Sequence, residues 1–246
     1  MFTVEQRDAL RDRVLALAQE DERVVAGAVI GSLALGGGDR YSDLDLTFGV
    51  ADDASVRDVL DDWSGALSEF GAAHLADLER APTIYRVFLF PDALQFDLSL
   101  TPAARFAPAG PRWRTVFGEI AEEHTRTPTP PDAADLFGWG IIYALHARTC
   151  IDRGRLWQAE HYVGAVRDYA LSLACLRHGL PAVQARGYDD LPAEVLAQFE
   201  GTHVAAPDAD ALGGALSPAL RALLREAKEA GVATVDDVRE RLADRV

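Results

Sequence analysis

Lysine is nearly absent. Of the 24 basic residues 23 are arginine, and Lys228 is the only lysine. Positive charge as a whole is scarce: 39 Asp and Glu leave the 246-residue chain at -15 at pH 7. A surface this acidic repels phosphate backbones, which argues against sequence-independent nucleic-acid binding. Cysteine is scarce too. Cys150 and Cys175 make no disulfide framework and read as two buried thiols. Long hydrophobic runs are missing. The nearest, FGWGIIYALHA (137–147), is too short to span a bilayer, so no membrane partner is expected. The opening MFTVEQRDALRDR alternates charge and lacks the apolar core of a signal peptide, so a cytoplasmic protein is expected.

The chain is long enough for one large domain or two modest ones, each with a core. Its halves differ. In residues 4–20, Val4, Leu10, Val14, Leu17 and Ala18 make one helical stripe. RVVAGAVI (23–30) reads as a buried strand. LDLTFGV (44–50) alternates, with Leu44, Leu46 and Phe48 on one face and Asp45 and Thr47 on the other. Residues 54–70 read as a helix, and 83–90 and 94–100 as strands joined at Pro91-Asp92. HTRTPTPPDAA (124–134) reads as a linker. Beyond it the pattern is helical: 132–152, 155–179, 192–200, 217–230 with Ser217-Pro218 as its start, and 234–245. The expectation is an α+β chain: a small mixed-sheet domain over 1–125 and an all-helical domain over 126–246.

One stretch breaks local rules: GSLALGGGDRYSDLDL, Gly31 to Leu46. Three consecutive glycines are costly in regular structure, and Asp is depleted in strands. Ser32 reads as the N-cap of a short helical turn, whose free N–H groups make an anion site, with Gly31 letting a phosphate approach. Asp43 and Asp45 then share one face of the next strand. Asp97 stands on the polar face of a later strand with Gln95 and Ser99. Three carboxylates facing a phosphate cradle suit magnesium, which takes hard oxygen ligands and substrate phosphate. A plain Gly- and Asp-rich turn would call for neither the Gly-Ser step nor carboxylates inside the following strand.

Gly31-Ser32, ten intervening residues, Asp43-Leu44-Asp45-Leu46 and a distant Asp97 resemble the nucleotidyltransferase superfamily of DNA polymerase beta. The resemblance covers roughly the first 100 residues. It implies Mg2+-dependent transfer of a nucleoside monophosphate, most simply AMP from ATP, with pyrophosphate leaving. Gly31 and Ser32 would hold the triphosphate. Asp43, Asp45 and Asp97 would hold metal, and Asp97 would also take the acceptor's proton. The helical half, with WQAEHYVGAVRDYALSLACLRHG, resembles the antibiotic nucleotidyltransferases of the aminoglycoside and lincosamide types.

On the second long helix Trp157, Glu160, Gly164, Arg167 and Asp168 fall on one stripe. Glu160 is a second candidate base and Arg167 a phosphate ligand, set against the plainer reading of a solvated face or a salt bridge. Arg186 reads as a surface residue. His146-x3-Cys150 and Cys175-x2-His178 look like halves of a zinc site. Each pair ends its own helix, and a short loop makes the helices antiparallel, leaving the pairs roughly 30 Å apart. Residues 1–125 carry -11 and the rest -4. That field favours a cationic acceptor such as an aminoglycoside, with a lincosamide as the alternative. Two rival readings are a nucleotide-binding antitoxin-like or sensor protein of the same fold, and an RNA-tailing enzyme. The latter would need a basic stripe that the acidic half does not offer.

Overall fold

In the computed structural model residues 2–121 and 129–242 are described. They form two compact units, Met1–Pro128 and Thr129–Val246. The boundary expected at 125/126 lies outside the described residues. The α+β organisation expected from the pattern is observed: a mixed sheet in the first unit and only helices in the second.

The first unit opens with α1 (Val4–Glu20), capped by Thr3, whose side chain accepts from the Gln6 amide while Gln6 answers the Thr3 amide. The strands are β1 (Val24–Ile30), β2 (Leu44–Val50), β3 (Ala73–Arg80), β4 (Thr83–Leu89), β5 (Gln95–Pro102) and β6 (Trp113–Phe117), with α2 (Val56–Glu69) between β2 and β3. They make one six-stranded sheet in the order β3-β4-β5-β2-β1-β6. The central pair, β2 and β5, is parallel, and every other pairing is antiparallel.

Register gives the sheet two unlike faces. Leu44, Leu46 and Phe48 stand beside Phe96, Leu98 and Leu100. These six are fully buried and pack with Leu10, Val14 and Ala18 of α1 and Val59, Leu60, Trp63 and Leu67 of α2. Burying each large apolar side chain is worth about 1.5–3 kcal/mol, so this face carries most of the unit's stability. Trp63 meets Phe48 edge to face, 5.2 Å between ring centres. On the opposite face the partners are Asp45 with Asp97, Thr47 with Ser99 and Gly49 with Thr101. A polar row therefore crosses the middle of the sheet, and Thr47, Ser99 and Thr101 are buried in it.

In the second unit α3 (Ala133–Asp152), α4 (Leu156–Arg177) and α6 (Ala209–Glu229) share one core with short α5 (Ala193–Leu196) and α7 (Val235–Leu242). Asp132 caps α3 and Asp208 caps α6. The start expected for α6 at Ser217-Pro218 is wrong: Pro218 lies inside a helix that begins eight residues earlier than Ser217. Leu212, Ala215, Leu216, Ala219 and Leu220 are all buried, so packing outweighs the missing amide of the proline. Both cysteines are buried, and burial pushes the Cys175 thiol up to about 11. Among the described residues no helix is long and apolar enough to cross a membrane.

Candidate active site

The site grows out of the central parallel pair. Parallel register sets Asp45 directly beside Asp97, with both side chains on the polar face. Asp43, one residue ahead of β2, adds a third carboxylate on that side. One oxygen from each of the three lies within 4.8 Å of the other two, and all three residues are partly buried.

Burial is the main reason that Asp97 stays above the ordinary aspartate range, and the nearby Asp43 charge adds to it. A hydrogen bond from Gln95 Nε2 to Asp97 Oδ1, 2.8 Å long, acts the other way and is weaker. This is the donor set that hard divalent cations take: converging oxygens, short of solvent, with negative charge to spare.

Gly31 closes the site from the end of β1. Its φ is +70°, a conformation that side chains rarely adopt. An added Cβ would overlap Asp45 Oδ2 and stand 3.0 Å from Asp45 Cγ. Only glycine lets the Asp45 carboxylate lie against the main chain here. Ser32 follows within a single 3₁₀ turn (Gly31–Leu33). The expectation that Ser32 caps this turn is wrong: the cap position is Ile30, which makes no side-chain cap bond. A turn of three residues also supplies no helix N-terminus. Instead Ser32 Oγ is shielded from solvent with no hydrogen-bond partner among the described residues. A buried hydroxyl left so costs roughly 1–3 kcal/mol, a debt that a bound oxygen ligand would cancel. The space over Gly31, expected to admit a phosphate, is taken by the Asp45 carboxylate; the unpartnered hydroxyl and the three carboxylates are what fit a metal-bound phosphate.

Beside the glycine-rich loop a cavity of about 510 Å³ is lined by Arg7, Asp8, Arg11 and Arg114 together with Leu33–Gly36 and Gly38. Arg114 Nε donates to the Ala34 carbonyl at 3.2 Å and so pins the turn to β6.

Glu160 and Arg167 belong to the other unit. Both lie on α4, where Arg167 is partly buried. Trp157 and Glu160 are exposed. Arg167 is engaged: Nε and Nη2 reach Asp168 Oδ1, each at 3.3 Å, and Nη1 lies 3.3 Å from His203 Nδ1. Arg186 is exposed.

Sequence reasoning missed Arg7, which is 3% exposed. A signal was there: Arg7, Leu10, Val14 and Ala18 are the buried stripe of α1, and an arginine heading such a stripe must be bound to something.

No protein-family model matches the sequence, and no curated protein matches it. Among solved structures, an aminoglycoside 6-adenyltransferase from Bacillus subtilis is similar at 13% identity and a TM-score of 0.45, over 99% of this chain and 98% of that one. A nucleotidyltransferase-like protein from Exiguobacterium sibiricum is similar at 14% identity and a TM-score of 0.41, over 97% of this chain and 80% of that one. Both likenesses are distant in sequence and in shape, and what this site does has to be drawn from its own residues.

Proposed function

We propose that the chain is a Mg2+-dependent nucleotidyltransferase that moves a nucleoside monophosphate, AMP, from a nucleoside triphosphate to a hydroxyl of a small cationic molecule. An aminoglycoside fits best, a lincosamide next. The convergence of Asp43, Asp45 and Asp97 beside Gly31-Ser32 carries this reading.

Asp43, Asp45 and Asp97 would hold the metal, which when bound neutralises charge on the triphosphate and on the leaving pyrophosphate. Gly31 makes room for the Asp45 carboxylate against its main chain, and Ser32 Oγ is free to donate to a phosphate oxygen. The acceptor oxygen bonds to the α-phosphorus, the bond from that phosphorus to the β-phosphate bridge breaks, and pyrophosphate leaves. The acceptor's proton goes to Asp97, the carboxylate that Gln95 orients at 2.8 Å. Glu160 is the second candidate for this role and Arg167 a candidate phosphate ligand. The acidic first half, at -11, favours a cation as acceptor, an attraction that salt weakens.

Calorimetry with ATP, GTP, CTP and UTP, with and without Mg2+, tests the reading. Metal-dependent binding of a triphosphate that Asp43→Asn abolishes is expected. No metal-dependent binding of any of the four would end it. If Asp97→Asn and Glu160→Gln both keep near wild-type rates in single turnover, neither is the base.

A further inference from the structure

Arg7 is the one charged residue in the buried stripe of α1, and what it holds is main chain. Its Nη1 donates to the Asp39 carbonyl at 2.6 Å and to the Ser42 carbonyl at 3.2 Å. Its Nε reaches Asp8 Oδ1 at 3.4 Å. Ser42 is the residue directly before Asp43.

The segment so held is already closed on itself. Asp39 Oδ1 accepts from the Tyr41 amide at 2.9 Å and from Ser42 Oγ at 3.1 Å. The Asp39 amide donates to Ser42 Oγ at 3.0 Å, and the Ser42 amide to the Asp39 carbonyl at 3.3 Å. These bonds shape the turn but do not attach it to anything. Attachment comes from two sides. At its start an added Cβ on Gly38 would overlap Leu33 Cδ2, so the chain lies flat against the 3₁₀ turn. From the helix side Arg7 holds the carbonyls of both its first and its last residue.

Resting on the reading of Asp43 as a metal ligand, we infer that Arg7 is a positioning residue: its buried guanidinium ties the Asp39–Ser42 turn to α1 and thereby sets the Asp43 carboxylate for the cation. Asp45 and Asp97 are placed by strand register. Asp43 lies outside β2 and needs another constraint, and Arg7 supplies it. Lysine is a poor substitute: its strongly hydrated ammonium sits on a flexible stem and lacks the Nε donor that Arg7 directs at Asp8.

Electrostatics and positioning predict opposite signs, which makes the test sharp. Removing a positive charge near a carboxylate cluster should by itself tighten cation binding. Loss of positioning should weaken it by about tenfold or more, as for other partners behind metal ligands. The measurement is Mn2+ affinity, from the electron paramagnetic resonance of free Mn2+, on the full chain as wild type, Arg7→Lys, Arg7→Ala, Arg11→Ala and Asp43→Asn. Circular dichroism on each reports the folded fraction, and amide exchange at Tyr41 and Ser42 reports the turn.

Both Arg7 variants are expected to weaken Mn2+ binding and to speed exchange at these amides, and Arg11→Ala to do neither. Millimolar guanidinium should restore affinity to Arg7→Ala alone. Should Arg7→Ala not fold, Arg7→Lys decides. Wild-type affinity in the Arg7 variants, with Asp43→Asn still deficient, overturns the inference and leaves the metal site standing. Equal Mn2+ binding by wild type and Asp43→Asn overturns the metal reading and the inference with it.

Discussion

Replacing Gly31 with alanine should damage the chain through two separable effects. The backbone sits at φ +70°, and holding an L-residue there costs about 1–2 kcal/mol. The new Cβ would also overlap Asp45 Oδ2 and stand 3.0 Å from Asp45 Cγ. The carboxylate must swing off its rotamer, which costs about 0.5–1.5 kcal/mol more. The total is about 1.5–3.5 kcal/mol, or a fall in melting temperature of roughly 5–10 °C. Truncating Asp45 to alanine removes the second effect only, because Asp45 Cβ lies 3.5 Å from the new methyl, an ordinary contact. A double-mutant cycle of Gly31→Ala and Asp45→Ala in metal-free buffer should thus return a coupling of about 1 kcal/mol. Urea unfolding followed by tryptophan fluorescence can measure it in the first unit. For that, Trp139 and Trp157, both well exposed, are first replaced by Phe, leaving Trp63 and Trp113 as reporters. Additivity within about 0.3 kcal/mol would refute the claim that Gly31 is required by the Asp45 carboxylate.

Three further outcomes are expected. Asp97 is held above the usual carboxylate range, so between the ordinary 3.8 and its own higher value the folded chain binds more protons than the unfolded one. Stability should therefore fall as pH rises through that window, and Asp97→Asn should remove the slope in metal-free melts, with Mg2+ reversing the ranking at neutral pH. In the helical unit, Gly140→Ala places a methyl 2.7 and 2.8 Å from the two terminal carbons of Leu223 and should cost about 1–3 kcal/mol. The exposed Gly138→Ala, with nothing within 4 Å, should gain up to about 1 kcal/mol, both read by thermal melts.

The sequence made the inside of the sheet legible and its margins not. β2 was readable end to end because Leu44, Leu46 and Phe48 alternate with polar residues. The grouping of carboxylates was readable for the same reason, since a period of two puts Asp43 and Asp45 on one side. β3 and β6 carry no such signal, and they are the two edges of the sheet. Every residue of β3 is exposed. Its place is fixed by main-chain pairing with β4 and by ion pairs such as Arg86 with Asp77, neither of which leaves a hydrophobic period. The early start of α6 was hidden by Gly213, Gly214 and Pro218, poor helix formers that a buried leucine and alanine stripe overrides. Ser32 was legible as a residue of interest but not as an unpartnered hydroxyl, because that depends on what fails to approach it.

The pairing of Asp45 with Asp97 has a consequence for how the protein is made. The two are 52 residues apart in the chain, and the sheet is closed later still, when Trp113 pairs with Ile30 across 83 residues. A ribosome adding about 5–20 residues per second leaves β1 and β2 waiting for seconds before β5 can join them. During that wait the Leu46 and Phe48 edge of β2 lacks its parallel neighbour, and Asp43 and Asp45 stand without Asp97. Such non-local parallel pairing is slow to form. The nascent chain thus passes through a stage with two of its three carboxylates and an open central edge, where a chaperone would have its clearest target and a metal ion its poorest one.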